Sequence, residues 1–364
     1  MKKLLFLCAF AALLAAGCAK TISQETETIY PDAPWVNDES LPVPIEFGDT
    51  PYGAMTKDAI VDLAGVEFGV LAYDTATNAE LLKNVVARGG GNNVRASFIT
   101  PSGDITYYYP LPTQDPDNNY SFFAYHVTEE LIADNATAHN LTSGYTVDVA
   151  IDTTDVLWAK SEATPLVYSG ETINGFNAKY ARYNRKFFNN EYLPKLTFEQ
   201  KTTALHIYAK AIDADAAATF KDGDLNLLEL ASLSLGGVFT QAVLDVTSGV
   251  ITGSATGTLT HDQKRVVPTV AGVEYGNGFF ILPTDGDLTL TYSLNVAKSK
   301  QGSTVNYSTF SDSLTLTQPQ GGFVAGKSYR LNIVFRSLES IGIVADIEPW
   351  IVDNAEGEDI VTVG

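Results

Sequence analysis

The chain has 364 residues, enough for two ordinary domains, and a formal net charge of −20 from 43 acidic and 23 basic side chains. That balance excludes nucleic acid and anionic lipid surfaces as electrostatic partners, because both demand clustered Lys and Arg. Its two cysteines are Cys8 and Cys18, so a fold built after Cys18 has no internal disulfide and depends on burial.

Met1, Lys2 and Lys3 give a basic start, and an apolar run follows from Leu4 to Ala16. The run is well short of the ~20 residues a spanning helix needs, so residues 1–17 read as a secretory signal that is cut off. Gly17-Cys18 resembles a bacterial lipobox, which implies that Cys18 is lipidated and becomes the first mature residue. Several acyl chains, each worth ~0.8 kcal/mol per buried CH₂, would hold the protein on the outer membrane where one chain binds only marginally. Residues 18–41 are polar, acidic and proline-punctuated and read as a flexible tether.

From Val43 onward the pattern has period two. Ile45/Phe47, Val66/Phe68/Val70, Tyr107/Tyr109, Phe122/Ala124 and Tyr145/Val147/Val149/Ile151 come first. Leu205/Ile207/Ala209, Leu288 to Val296, Leu314/Leu316, Tyr329 to Phe335 and Ile341 to Ile347 continue it. Alternation of this kind buries one face and wets the other, which predicts an all-β fold of antiparallel sandwiches. Turn signals separate the runs at 101–104, 222–224, 285–287 and Gly321-Gly322. One helix is expected at Ala79–Ala87, stopped by Gly89-Gly90-Gly91, with a further turn or two at Val127–Ala133. The predicted organisation is an N-terminal sandwich at 42–170, a linker or long loop at 171–193, and a C-terminal sandwich at 194–364. The surroundings of that linker, 161–193, are rich in Asn and Tyr, with Arg182, Arg185 and Lys186 close together.

Little in the sequence points to catalysis. His126, His139, His206 and His261 have no partner at metal or triad spacing, and no GxSxG, HExxH or P-loop occurs. No enzyme activity, cofactor or metal is expected. Asp115-Pro116-Asp117-Asn118-Asn119 begins like a calcium loop, but Tyr120 stands at the turn-glycine position and His126 at the bidentate-Glu position. Tyr107-Tyr108-Tyr109 and Ser121 to Tyr125 have the aromatic content for sugar stacking, chiefly through Tyr108 and Phe123, although alternate strand aromatics are mainly core.

Several segments, in order, resemble the fimbrillin family of Bacteroidetes-type pilins. They are the lipoprotein leader, Pro44-Ile45-Glu46-Phe47, Met55-Thr56-Lys57-Asp58 and Gly65 to Tyr73. Tyr120 to Tyr125, Asp152 to Ala159, Phe323 to Tyr329 and Val344 to Trp350 complete the series. The resemblance implies two tandem transthyretin-like β-sandwiches and a lipoprotein precursor at the cell surface. It also implies proteolytic loss of the first strand and polymerisation by C-terminal strand donation. Lys57 stands where the family carries its processing residue, usually Arg, so the cut would fall between Lys57 and Asp58 and remove Val43–Gly48. The candidate donor is 351–364, with Ile351, Val352, Ile360, Val361 and Val363 as its apolar residues. A donor of six residues adds about six ladder bonds at ~0.5–1.5 kcal/mol each, and inward apolar side chains add ~1.5–3 kcal/mol apiece. The implied partners are other fimbrial subunits, with lipid at Cys18 and a host surface or glycan in second place. The competing readings are an uncut anchor or tip subunit, and a monomeric lipoprotein that binds a glycan or host ligand.

Overall fold

The computed structural model describes residues 33–48, 63–90, 95–111, 118–127, 145–151, 155–261, 265–276, 278–302 and 304–336. It also gives the backbone of two strands, β1 (Lys20–Thr21) and β24 (Ala345–Trp350). The architecture is all-β, in packed sheets with short helices between them.

A seven-stranded antiparallel sheet forms the first half. Its order is β13 (Phe198–Gln200), β10 (Leu157–Ser161), β8 (Tyr120–His126), β3 (Glu67–Asp74), β4 (Glu80–Arg88), β5 (Ser97–Thr100) and β6 (Gly103–Ile105). The β3–β4 hairpin closes on Asp74, whose Oδ1 accepts the Ala76 N–H at 2.8 Å, while Asn78 takes a left-handed φ of 58°.

The helix expected at Ala79–Ala87 is the strand β4 instead. Helical and strand spacing are hard to separate in a run as short as AELLKNVVA, and β-branched Val85-Val86 favours the strand. Asn84 sits at φ 52° and the register to β3 shifts nearby, so a bulge changes which side chains face inward. Leu82 and Ala87 enter one core, Val86 enters another, and Asn84 Oδ1 accepts the Tyr125 hydroxyl at 2.8 Å.

The expectation of one wet face also fails for the central strands. Phe68, Val70, Phe122, Ala124 and Leu157 point into the first core, while Leu71, Phe123, Tyr125 and Trp158 point into a separate cluster on the opposite face. That face is covered by β9 (Thr146–Ala150) and by the end of β17 (Leu228–Asp245), so both sides of the sheet are dry.

The stretch expected as a crossing or long loop carries β11 (Leu166–Tyr168), β12 (Glu171–Ile173) and the helix α1 (Ala178–Phe188). Asn177 caps α1 by accepting the Tyr180 N–H at 2.8 Å, and Asn189 ends it in the left-handed region at φ 50°. Ala178, Tyr180, Ala181 and Phe188 pack into the first core. The helical period is hidden in the sequence because Arg182 and Asn184 are also buried.

The second half is a sandwich of two sheets. One has the order β19 (Val273–Glu274), β14 (Thr203–Ala211), β23 (Ser328–Phe335), β24, with β20 (Phe279–Ile281) also paired to β14. Strands β14 and β23 run parallel, from Ala204↔Ser328 to Ala211↔Phe335, a departure from purely antiparallel pairing. The other sheet has the order β18 (Val250–His261), β17, β21 (Leu288–Gln301), β22 (Thr304–Leu316), and β9 also pairs with β17. Leu205, Ile207, Leu230, Leu290, Leu331 and Ile333 lie in the core between them. The helix α2 (Ala214–Thr219) and the hairpin β15 (Lys221–Asp222)–β16 (Leu225–Asn226) follow β14. Register breaks along β17, including one at Gly237 with φ 80°, let its first half serve this core and its end serve the cluster against the first sheet.

Candidate functional site

The distinctive site is a groove in the first half, filled by an extended segment of the chain's own. Residues 33–48 begin with the 3₁₀ turn η1 (Pro34–Val36) and end in β2 (Val43–Pro44), which pairs antiparallel with β7 (Tyr108–Tyr109). The pairing continues past β2: the Ile45 N–H donates to Tyr107 O at 2.8 Å, and the Gly48 N–H to Pro194 O at 2.9 Å. Val43, Ile45 and Phe47 alternate inward and are fully enclosed in the first core. The Phe47 ring meets Phe98 at 5.1 Å and Phe122 at 5.8 Å between centroids. Glu46 faces outward and pairs with Arg95 at 3.2 Å. A cleft of about 280 Å³ runs beside the segment, lined by Pro44, Ile45, Phe47, Arg95, Phe98 and Ile105.

Upstream, Arg182 of α1 holds the segment by its main chain. Its Nε donates to Trp35 O at 2.9 Å, and its Nη2 to Leu41 O at 2.8 Å, Glu39 O at 3.3 Å and Asp38 O at 3.4 Å. The side chain is only 5% exposed, so burial pulls the guanidinium's pKa down, opposed by the nearby Glu39 and Asp38 carboxylates. Asp38 in turn receives the Ser40 hydroxyl and N–H, which hold its carboxyl below the usual range.

The other edge of interest is β24, at the end of its sheet among the described residues, paired with β23 from Ile333↔Ala345 to Ser328↔Trp350. The chain then enters 351–364. The residues singled out for lipidation (Cys18), processing (Lys57 and Asp58) and strand donation (Ile351, Val352, Ile360, Val361 and Val363) lie outside the described residues. So do His139, Asp115 to Asp117 and all but the first residue of the turn expected at Val127–Ala133.

The remaining candidates are structural. His126 Nδ1 lies 2.7 Å from Glu67 O, His206 Nδ1 lies 2.7 Å from Glu274 Oε1, and the His261 ring meets Phe279 at 4.1 Å. Among the described residues no three His, Cys, Asp or Glu side chains converge as a metal site. Asn119, from the calcium-like loop, donates its N–H to Asp74 Oδ2 at 2.9 Å. Of the two residues expected to stack sugars, Tyr108 is 49% exposed but Phe123 is 1% exposed, stacked on Tyr73 beneath β9. The two do not form a shared aromatic platform. In the sequence Arg182 stands out only as part of a basic cluster. The signal in the sequence is a cation one helical turn after Ala178, on the face the helix buries.

Layered sheets with one groove filled by an extended segment of the same chain define an all-β sandwich protein. The chain matches the Fimbrillin-like family over residues 63–350 and belongs to that family. It is thus a fimbrial-type protein of the cell surface, associated with other fimbrial subunits, and structural rather than enzymatic. No curated protein matches it. Among solved structures, a candidate cell adhesion protein from Bacteroides ovatus is 13% identical with a TM-score of 0.50, covering 86% of this chain and 100% of its own. One from Bacteroides uniformis is 18% identical with a TM-score of 0.49, at 86% and 100% coverage. A fimbrial protein from Bacteroides vulgatus is 13% identical with a TM-score of 0.45, at 84% and 99% coverage.

Proposed function

We propose that this chain is a pilin that polymerises by strand exchange. It is exported as a lipoprotein through Cys18 and cut between Lys57 and Asp58, and it loses residues 33–48 from the groove. Segment 351–364 of a second copy then fills the vacancy. In this reading the part from Leu63 to Gln200 forms the acceptor unit, and the part from Thr203 onward presents the donor.

The observation that carries the proposal is the seating of Val43, Ile45 and Phe47. They are buried as deeply as core residues, yet their segment is joined to β3 only through 49–62, the stretch that contains Lys57. Removing them would expose an apolar trough beside the unpaired edge of β7, which is what an added strand needs. Mass spectrometry of protein sheared from intact cells tests the cut. A start at Asp58, with SDS-resistant ladders that vanish when 351–364 is deleted, is the expected result. A start at lipidated Cys18 would identify an uncut anchor subunit and reject polymerisation through this groove.

A further inference from the structure

A basic helix lies on the flank of the groove. In a chain of net charge −20, α1 carries Lys179, Arg182, Arg185 and Lys186 and no acidic side chain. The segment beside it, 33–48, carries Asp38, Glu39 and Glu46 and no basic side chain. At its centre Arg182 binds main-chain carbonyls rather than side chains, so its grip does not depend on which residues supply them. Its buried Nη1 has no acceptor among the described residues, which leaves the guanidinium with donor capacity to spare. If 33–48 leaves, a buried cation loses all these acceptors at once, and the groove then favours a ligand that restores them.

Segment 351–364 has the same chemistry as the segment it would replace. It carries Asp353, Glu356, Glu358 and Asp359 with no cation, and Val361 and Val363 stand two apart as Val43, Ile45 and Phe47 do. We propose that α1 selects the incoming strand: Arg182 captures its carbonyl oxygens, and Lys179, Arg185 and Lys186 favour an acidic flank. The ligand class is an extended, acidic, alternating segment, supplied here by 351–364 of a second copy. This inference rests on the strand-exchange reading and adds the specificity determinant to it.

The test uses the full chain with a unique protease site introduced at Lys57. After cutting, a fluorescent peptide of residues 351–364 is added, and anisotropy is compared with that of a peptide whose four carboxylates are changed to amides. The acidic peptide is expected to bind more tightly, with a preference that fades as salt is raised. Lys179→Gln/Arg185→Gln/Lys186→Gln should erase the preference, and Arg182→Lys should weaken both peptides about tenfold or more, since a forked donor is replaced by a single ammonium. The triple variant changes no fully buried cation, so it serves even if Arg182→Lys folds poorly. Equal binding of both peptides to wild type and to the triple variant would overturn the role of α1 while leaving strand exchange standing. No binding of either peptide to the cut wild-type protein would overturn strand exchange itself, and this inference with it.

Discussion

At the scale of single residues, Asp155 is the clearest electrostatic lever. It is 4% exposed, and burial pushes its pKa up to about 6 even though the Thr202 hydroxyl and the Gln200 amide, at 2.6 Å, donate to it. Because the folded-state pKa is the higher one, this group's stabilisation is complete below about pH 4, near the unfolded value, and is lost as pH rises through about 6. Asp74 and Asp245 tilt the other way. Burial raises their pKa, but the N–H groups of Asn119 and Ala76 on Asp74, and the Thr247 hydroxyl and N–H on Asp245, outweigh it and lower the pKa. Their stabilisation is lost as pH falls. The difference between wild type and Asp155→Asn in chemical denaturation isolates the first effect: wild type should lose ground to the variant between pH 4 and 7. A pH-independent difference would mean that folding leaves the Asp155 pKa where it is in the unfolded chain.

Gly249 offers a steric counterpart. It sits at φ 69°, and an added Cβ would lie 2.5 Å from Trp158 Cδ2. Gly223, at φ 61°, has open space around it. Gly249→Ala should therefore cost ~1–3 kcal/mol beyond the backbone cost that Gly223→Ala alone incurs. Thermal melts of the two variants give the comparison directly, and equal losses would show that Trp158 can move aside.

At the scale of elements, the segment from Val43 to Gly48 is held far more by its side chains than by its few ladder bonds. Phe47→Ala should destabilise the uncut protein by ~3–5 kcal/mol, while Glu46→Gln, which touches only the exposed pair with Arg95, should cost ~0–1 kcal/mol. Denaturant midpoints separate the two, and a small cost at Phe47 would mean the segment is only loosely seated. The segment's alternation was readable from sequence, as were β14, β21 and β23, because each has one face on one core. Strand β4 reads as a helix in the sequence because Leu81-Leu82 and Val85-Val86 fit a helical stripe, and a bulge at Asn84 lies outside any simple period. Helix α1 is hidden in the sequence because its buried face includes Arg182, whose partners are carbonyls 141 to 147 residues away, and Asn184, which accepts the Tyr192 N–H just past the helix end. The groove was legible as a strand position, but its clamp was not, since carbonyls of residues 35–41 have no side-chain signature.

At the scale of the molecule, the two halves are joined by burial rather than by a linker alone. Val147, Val149, Ala242, Leu244 and Val246 cover the outer face of the first sheet against Leu71, Phe123, Tyr125 and Trp158. Trp158 Nε1 also donates to Val246 O at 2.7 Å, across the two halves. The long strand β17 reaches into the second core at Leu230 and, paired there with β9, into this shared cluster at Leu244, so one strand packs against both cores. That arrangement couples the two halves through side-chain packing. It predicts that Leu244→Ala, a truncation of a fully buried side chain costing ~2–5 kcal/mol, loosens both halves together. Amide hydrogen exchange read by mass spectrometry should then speed up in β8 of the first sheet as well as in β17, because opening the shared cluster unroofs Phe123 and Tyr125. If exchange rose only in β17 and its neighbours β18 and β21, the halves would be opening independently, and the shared cluster would be a contact rather than a mechanical joint.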